Sequence, residues 1–210
     1  MRWFSAVLKQ TAAGLRLLLV MTVLLGLVYP LAIWGIGQIP GLRANANGSI
    51  VTVDGQAVGS SLIGVDPVDP NAKDDPANDR YFHNRPSAGA QDVLGPGDPS
   101  SSGPSNLAAD NPKLVEAVKK RQEAIAQREG VPVAQVPADA VTASGSGLDP
   151  DISPAYAQLQ LKRVAKVNHL TESQVAQIVA ENTKGRGAGF VGQPTVNVLA
   201  LNLAVKAARH

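Results

Sequence analysis

Between Leu17 and Leu42 the chain carries no charged side chain, and Leu17–Ile36 reads LLLVMTVLLGLVYPLAIWGI, with Thr22 and Tyr29 as its only hydroxyls. A run of twenty residues at about 1.5 Å each spans about 30 Å, the thickness of the hydrocarbon core of a bilayer. Such a run is either a membrane anchor or a cleaved leader. Ala44-Asn45-Ala46 has the small-x-small form of a cleavage site, yet leader cores run to only about 7–15 apolar residues. The length therefore predicts a retained transmembrane helix over residues 17–37, preceded by a tail of residues 1–16. Trp3 and Phe4 would lie at one interface, Tyr29 and Trp34 at the other. Arg2, Lys9 and Arg16 precede the helix and only Arg43 closely follows it. That cation bias predicts a cytoplasmic N-terminus, with residues 44–210 outside the membrane. Pro30 predicts a kink. Thr22, Gly26 and Pro30 recur every four residues and form a face of little bulk. It reads either as an incidental feature of a lone anchor or as a close-approach surface for a partner helix.

Composition narrows what the rest can be. The chain has no cysteine, which excludes a disulfide framework, a thiolate nucleophile, an iron–sulfur cluster, a Cys-based zinc site and a lipidated N-terminal cysteine. The sequence pI of about 9.0 invites a nucleic-acid reading. The positions of the charges defeat it: residues 1–43 hold four cations and no acid, and beyond them stand fifteen basic and seventeen acidic residues. The basicity flanks the membrane and describes no polyanion-binding surface.

The outer part reads as one α+β domain, mixed α/β with a small sheet and about four helices. Ser49–Val58 (SIVTVDGQAV) is two β-prone runs around Asp54-Gly55, a hairpin signal because the tight turn needs positive φ. Ser60–Gly64 is expected to prolong that strand system. Residues 65–80, with three prolines and a cluster of aspartates, read as a surface loop, and residues 84–111 as a second long loop. Asn111 caps a helix with Pro112 at its first position and a stripe of Leu114, Val118, Arg121 and Ile125 ending near Gly130. Glu116, Lys119, Lys120 and Glu123 form its solvated face. Ser153-Pro154 starts a second helix running to about Asn168, with Leu161, Val164 and Ala165 inward. Thr171-Glu172-Ser173-Gln174 fits a capping box for a third, expected to stop near Gly185, with Val175, Ile178 and Val179 inward. Residues 196–208 read as a terminal helix or a strand–helix mixture.

Chemistry is sparse. His83, His169 and His210 lie far apart in sequence, with no carboxylate or histidine at ligand spacing, so they read as surface or lightly buried side chains. Ser144 and Ser146 sit in ASGSG, which lacks the glycine pattern and the long strand of a nucleophile elbow. A membrane-anchored hydrolase using either serine, or a free-standing binding module of the envelope, remains the alternative to the reading that follows.

Several blocks together resemble one family. They are Tyr81-Phe82-His83-Asn84-Arg85-Pro86-Ser87-Ala88, Ser105-Asn106-Leu107, Val141–Pro154 (VTASGSGLDPDISP), Arg163-Val164-Ala165 and Val196–Asn202 (VNVLALN). In this order, behind one membrane helix, they resemble the KdpC family, an accessory component of the Kdp potassium-transporting ATPase. The resemblance implies a non-catalytic subunit of a high-affinity potassium import pump in the bacterial cytoplasmic membrane. It implies three partners: a channel-like potassium-translocating subunit, a P-type ATPase subunit and a small membrane peptide. It implies a role in assembly, and a catalytic-chaperone role that raises the ATP affinity of the ATPase subunit. The loop implied for the latter is Ser100–Leu107 (SSSGPSNL), with Ser102, Ser105 and Asn106 as its nucleotide-binding residues; no firmly bound cofactor is implied. The residues carry an opposing expectation, because Pro104 has no N–H to offer a phosphate and the topology puts this loop across the bilayer from cytoplasmic ATP. Arg85, Asp149 and Asp151 read as fold-holding bridge and turn residues, or as a partner-facing surface whose carboxylates add negative field near a cation path. Asn197 and Asn202 are expected to satisfy buried backbone groups.

Overall fold

The computed structural model describes residues 2–209; His210 lies outside the described residues. The chain divides into two compact units, one up to Ile50 and one from Val51 onward. In the first, α1 (Arg2–Val23), a π turn (Leu24–Val28) and α2 (Tyr29–Gly37) follow without a break, and a short α3 (Arg43–Ala46) comes after. The helical run begins fifteen residues before the apolar stretch, so the segment read as a tail is itself helix. Trp3–Gly37 is long and apolar enough to cross a membrane. Pro30 shapes it through the π turn. Proline gives its turn no N–H and its ring crowds the carbonyl one turn back. The helix widens there, and the Tyr29 N–H donates to Leu24 O, five residues back. This wide turn falls inside the Thr22–Gly26–Pro30 row and interrupts its four-residue spacing. The Thr22 hydroxyl is returned to its own helix, donating to Leu18 O at 2.8 Å.

The second unit is mixed α/β with two small sheets. The hairpin forms as the sequence predicts: β1 (Ile50–Val53) and β2 (Gln56–Ser60) flank Asp54 and Gly55, both at positive φ. It does not extend through Ser60–Gly64, because Gly64 leaves the strand direction to donate its N–H to Leu148 O at 2.8 Å. There it packs so closely on Asp149 and Pro150 that a Cβ would collide with the backbone.

The helices are α4 (Pro112–Glu129), α5 (Ala138–Val141), α6 (Pro154–Asn168), α7 (Glu172–Glu181) and α8 (Val198–Ala208). Their starts follow the caps read from sequence. Asn111 accepts from Lys113 N–H, Ser153 from Tyr156 N–H, and Thr171 forms the reciprocal box with Gln174. Gly130 ends α4 in the left-handed conformation. One end differs: α7 stops at Glu181, short of Gly185, because Asn182 turns its side chain back to Ile178 O and Thr183–Lys184 becomes a strand. That strand, β4, joins β3 (Asp151–Ile152) and β5 (Thr195–Asn197) in an antiparallel sheet of order β3-β5-β4. Its register pairs Ile152 with Val196 and Val196 with Thr183. Ile125, Ile152, Tyr156, Val164, Val175, Val196 and Leu201 fill the core between sheet and helices. Among the described residues, the segment before α4 adds only Phe82, fully buried, and Ala72 to the buried apolar set.

Candidate functional site

Residues 66–87 hold no regular strand or helix beyond two single 3-10 turns, yet they run as a strap over α4, α6 and α8. A backbone without regular partners must be satisfied by side chains if it is buried. Asn202 on α8 clamps Phe82 from both sides, accepting its N–H at 2.8 Å and donating to its carbonyl at 2.9 Å. Gln160 on α6 does the same for His83, at 2.8 and 3.2 Å. Asn168 donates to Arg80 O at 2.8 Å, and the Arg163 guanidinium donates to the carbonyls of Asp79 and Tyr81.

Charge is buried beneath this strap. The Glu129 carboxylate, with no exposed side-chain surface, lies between two guanidinium groups, 2.7 Å from Arg128 Nε and 3.0 Å from Arg163 Nε. Arg128 also donates to Tyr156 Oη at 2.9 Å. Burial pushes the Tyr156 phenol above its ordinary value, despite the nearby Arg128 charge. Burial is also the largest influence on Arg128, yet Tyr156 and Glu129 outweigh it and hold that guanidinium firmly charged. The His83 ring lies between two aspartates: Nδ1 is 3.0 Å from Asp66 Oδ2 and Nε2 is 3.3 Å from Asp79 Oδ2. Nε2 has no properly aligned partner in spite of that proximity. Asp66 in addition accepts the Asn84 N–H at 2.7 Å. Burial alone would raise the Asp79 carboxyl, but His83, the Tyr81 N–H and Arg163 more than offset it and hold it below the usual carboxylate range.

This corrects the sequence reading twice. His83 is neither superficial nor without carboxylates, and the 65–80 segment is not simply a surface loop, since Asp69, Ala72 and Asp79 are buried. Asp79 and His83 are four residues apart, but on irregular backbone, where spacing carries no geometric meaning; Asp66 is brought in by the fold. His169 is exposed at the left-handed cap of α6.

A second cluster forms where the SGSGLDP block meets the preceding long loop. Ser144 is buried and its hydroxyl lies 3.1 Å from that of Ser146, while also accepting the Asp149 N–H. The two serines therefore tie a turn and have no base in their hydrogen-bond sets. Gly147, at φ +73°, approaches both the Ser87 hydroxyl and Gly103 O, a conformation and a closeness that favour glycine. The SSSGPSNL loop is stitched onto this turn: the Ser102 hydroxyl and the Gly103 N–H both donate to Ser146 O, at 3.0 and 2.8 Å. Ser105 is half-buried, and Asn106 is exposed at φ +54°. Two shallow cavities, of about 260 and 300 Å³, are lined by Gly89–Asp98 residues and by Ser87, Asp92, Lys113, Lys120 and Arg121; Ser102, Ser105 and Asn106 line neither.

Arg85 and Asp149 come together at 3.0 Å, and Arg85 also reaches Thr142 O. Asp151 sits beside them in sequence but faces β5, accepting from the Thr195 hydroxyl at 3.1 Å and the Asn197 amide at 3.0 Å. Asn197 also caps α8 and donates to Ser61 O.

The blocks that carry the family resemblance are thus the corners and clamps of one structure. A family model described as the K+-transporting ATPase, c chain (KdpC), matches residues 11–207. The chain belongs to the KdpC family. A potassium-transporting ATPase KdpC subunit of Kineococcus radiotolerans is 47% identical over 201 residues, covering 96% of this chain and 95% of the relative. One from Streptomyces coelicolor is 46% identical over 209 residues (92% and 90%), and one from Sorangium cellulosum 46% over 202 (96% and 100%). The family match therefore runs through most of the apolar helix as well as the second unit.

Proposed function

We propose that this chain is the non-catalytic accessory subunit of an ATP-driven potassium import pump. In this reading residues 17–37 anchor it in a bacterial cytoplasmic membrane, with the N-terminus in the cytoplasm and the residues from 44 onward outside. Its partners are a channel-like potassium-translocating subunit, a P-type ATPase subunit and a small membrane peptide. Its work is to hold these chains in their active assembly. The observation that carries the reading is the family match over residues 11–207, which spans both the apolar helix and the folded unit. The rise in ATP affinity attributed to the family then arises through the assembly. Direct nucleotide contact at Ser102, Ser105 and Asn106 is the weaker version, because the Ser102 hydroxyl and the Gly103 N–H already serve Ser146 O. Arg85, paired with Asp149, and Asp151 would then act on partners mainly by shaping the corner they hold.

The test is co-purification in mild detergent of a tagged copy from potassium-starved cells. The other pump chains should come with it, and Gly26→Leu should reduce their recovery severalfold by filling a position where nothing lies within 4 Å. A chain that purifies alone would refute the reading.

A further inference from the structure

The β4–β5 hairpin ends in a tip that the pump reading leaves without a use. Gly187 and Val191 exchange both backbone hydrogen bonds at 2.8 Å, and the Phe190 N–H donates to Gly187 O at 3.2 Å. Ala188 and Gly189 take positive φ to close it. The outcome is a tight, preorganised turn that holds Phe190 76% and Val191 57% exposed. Among the described residues of the second unit Phe190 is the exposed aromatic; Phe82 and Tyr156 are buried and Tyr81 is half-buried. Lys184 and Arg186 flank the tip, both exposed, and no ion pair among the described residues includes either. From Asn182 to Arg209 the chain has no acidic residue and carries Lys184, Arg186, Lys206 and Arg209.

We infer that this tip is a lipid-contact device, in which Phe190 and Val191 insert into the headgroup boundary of an anionic bilayer while Lys184 and Arg186 pair with its phosphates. Apolar side chains at the point of a basic loop are the combination that a charged membrane surface rewards, through area removed from water and through attraction to anionic lipid. Two apolar side chains on a five-residue turn suit shallow insertion. They fall far short of the roughly 800 Å² per partner of a specific protein interface. The spanning helix keeps a bilayer within reach at high effective concentration, so weak contact is enough. Such contact goes beyond membership of the pump and needs only that the chain be membrane-anchored.

Because the chain has no cysteine, Gln193→Cys gives a unique site for an environment-sensitive fluorophore that leaves Phe190 and Val191 in place. The full chain is reconstituted alone into vesicles of phosphatidylcholine with or without phosphatidylglycerol, each with a lipid-borne quencher. Quenching should be at least twofold greater in the anionic vesicles. It should fall to the neutral-vesicle level in Phe190→Ser/Val191→Ser, and in Lys184→Gln/Arg186→Gln. Equal, water-like signals in both vesicles would overturn the inference. So would protection that appears only when the other pump chains are added, since the occupant would then be protein. Since no other chain is present in the primary measurement, failure of the pump reading would leave its outcome untouched.

Discussion

Glu129 is the residue on which the buried charges turn. Its carboxylate lies between two guanidinium groups whose side chains are 5% and 3% exposed, and removing one partner of a buried pair costs about 3–5 kcal/mol because the others are left undercompensated. Glu129→Gln should therefore destabilise the fold by an amount in that range in chemical denaturation, whereas Glu116→Gln, which breaks the exposed pair with Lys120, should leave the midpoint unchanged. Asp79 sets the acid limit. Its carboxyl is held below the ordinary value of about 3.9. Its stabilisation is complete above that value and is lost as pH falls through the lowered folded one. The Asp79 contribution should therefore be constant above about pH 5 and fall away below about pH 4. Asp79→Asn should shallow the acid limb without abolishing it, since Asp69 beside Arg80 is lowered too; an unchanged limb would remove Asp79 from this role. None of this was legible in the sequence. Arg128 and Glu129 look like the solvated end of an amphipathic helix, and only the approach of Arg163 from α6 makes them a core feature.

At the scale of elements, what local chemistry dictates could be read and what tertiary pairing dictates could not. Asn111, Ser153 and Thr171 announce their helices because a cap is satisfied within four residues of itself. Asp54-Gly55 announces its turn for the same reason. The early end of α7 and the strand at Thr183–Lys184 depend on Val196, which lies across the sheet. The strap is the extreme case, since the α6 and α8 side chains that clamp its backbone lie 77 to 120 residues away. Asn202→Leu should preserve α8, whose helix propensity leucine suits, but strand two backbone groups of Phe82. The expected loss is about 1–3 kcal/mol, and the Phe82 amide should lose hydrogen-exchange protection before the amides of α6 do. Retained protection at Phe82 would show that the clamp is dispensable.

For the whole molecule, the family blocks and the apolar helix were both legible, because each is contiguous in sequence. How they assemble was not. The proposed topology is tested by fusing a reporter that works only in the cytoplasm after the C-terminus; it should be inactive, and activity would reverse the orientation. The clamped strap has a further consequence, for which substitutions the chain tolerates. Asn202, Gln160 and Asn168 read backbone atoms of the strap, and those atoms are the same whatever side chain is attached to them. The exposed strap positions Lys73, Asp74 and Ala77 should therefore accept nearly any residue in a saturation scan. Asn202 and Gln160 should accept almost none, because few other side chains offer a donor and an acceptor at that reach, and Asn168 should require a donor that reaches both Arg80 O and Val164 O. Mutational sensitivity should then map to the helices that hold the strap and to its buried residues, such as Phe82, His83 and Ser87, leaving its exposed positions free to drift.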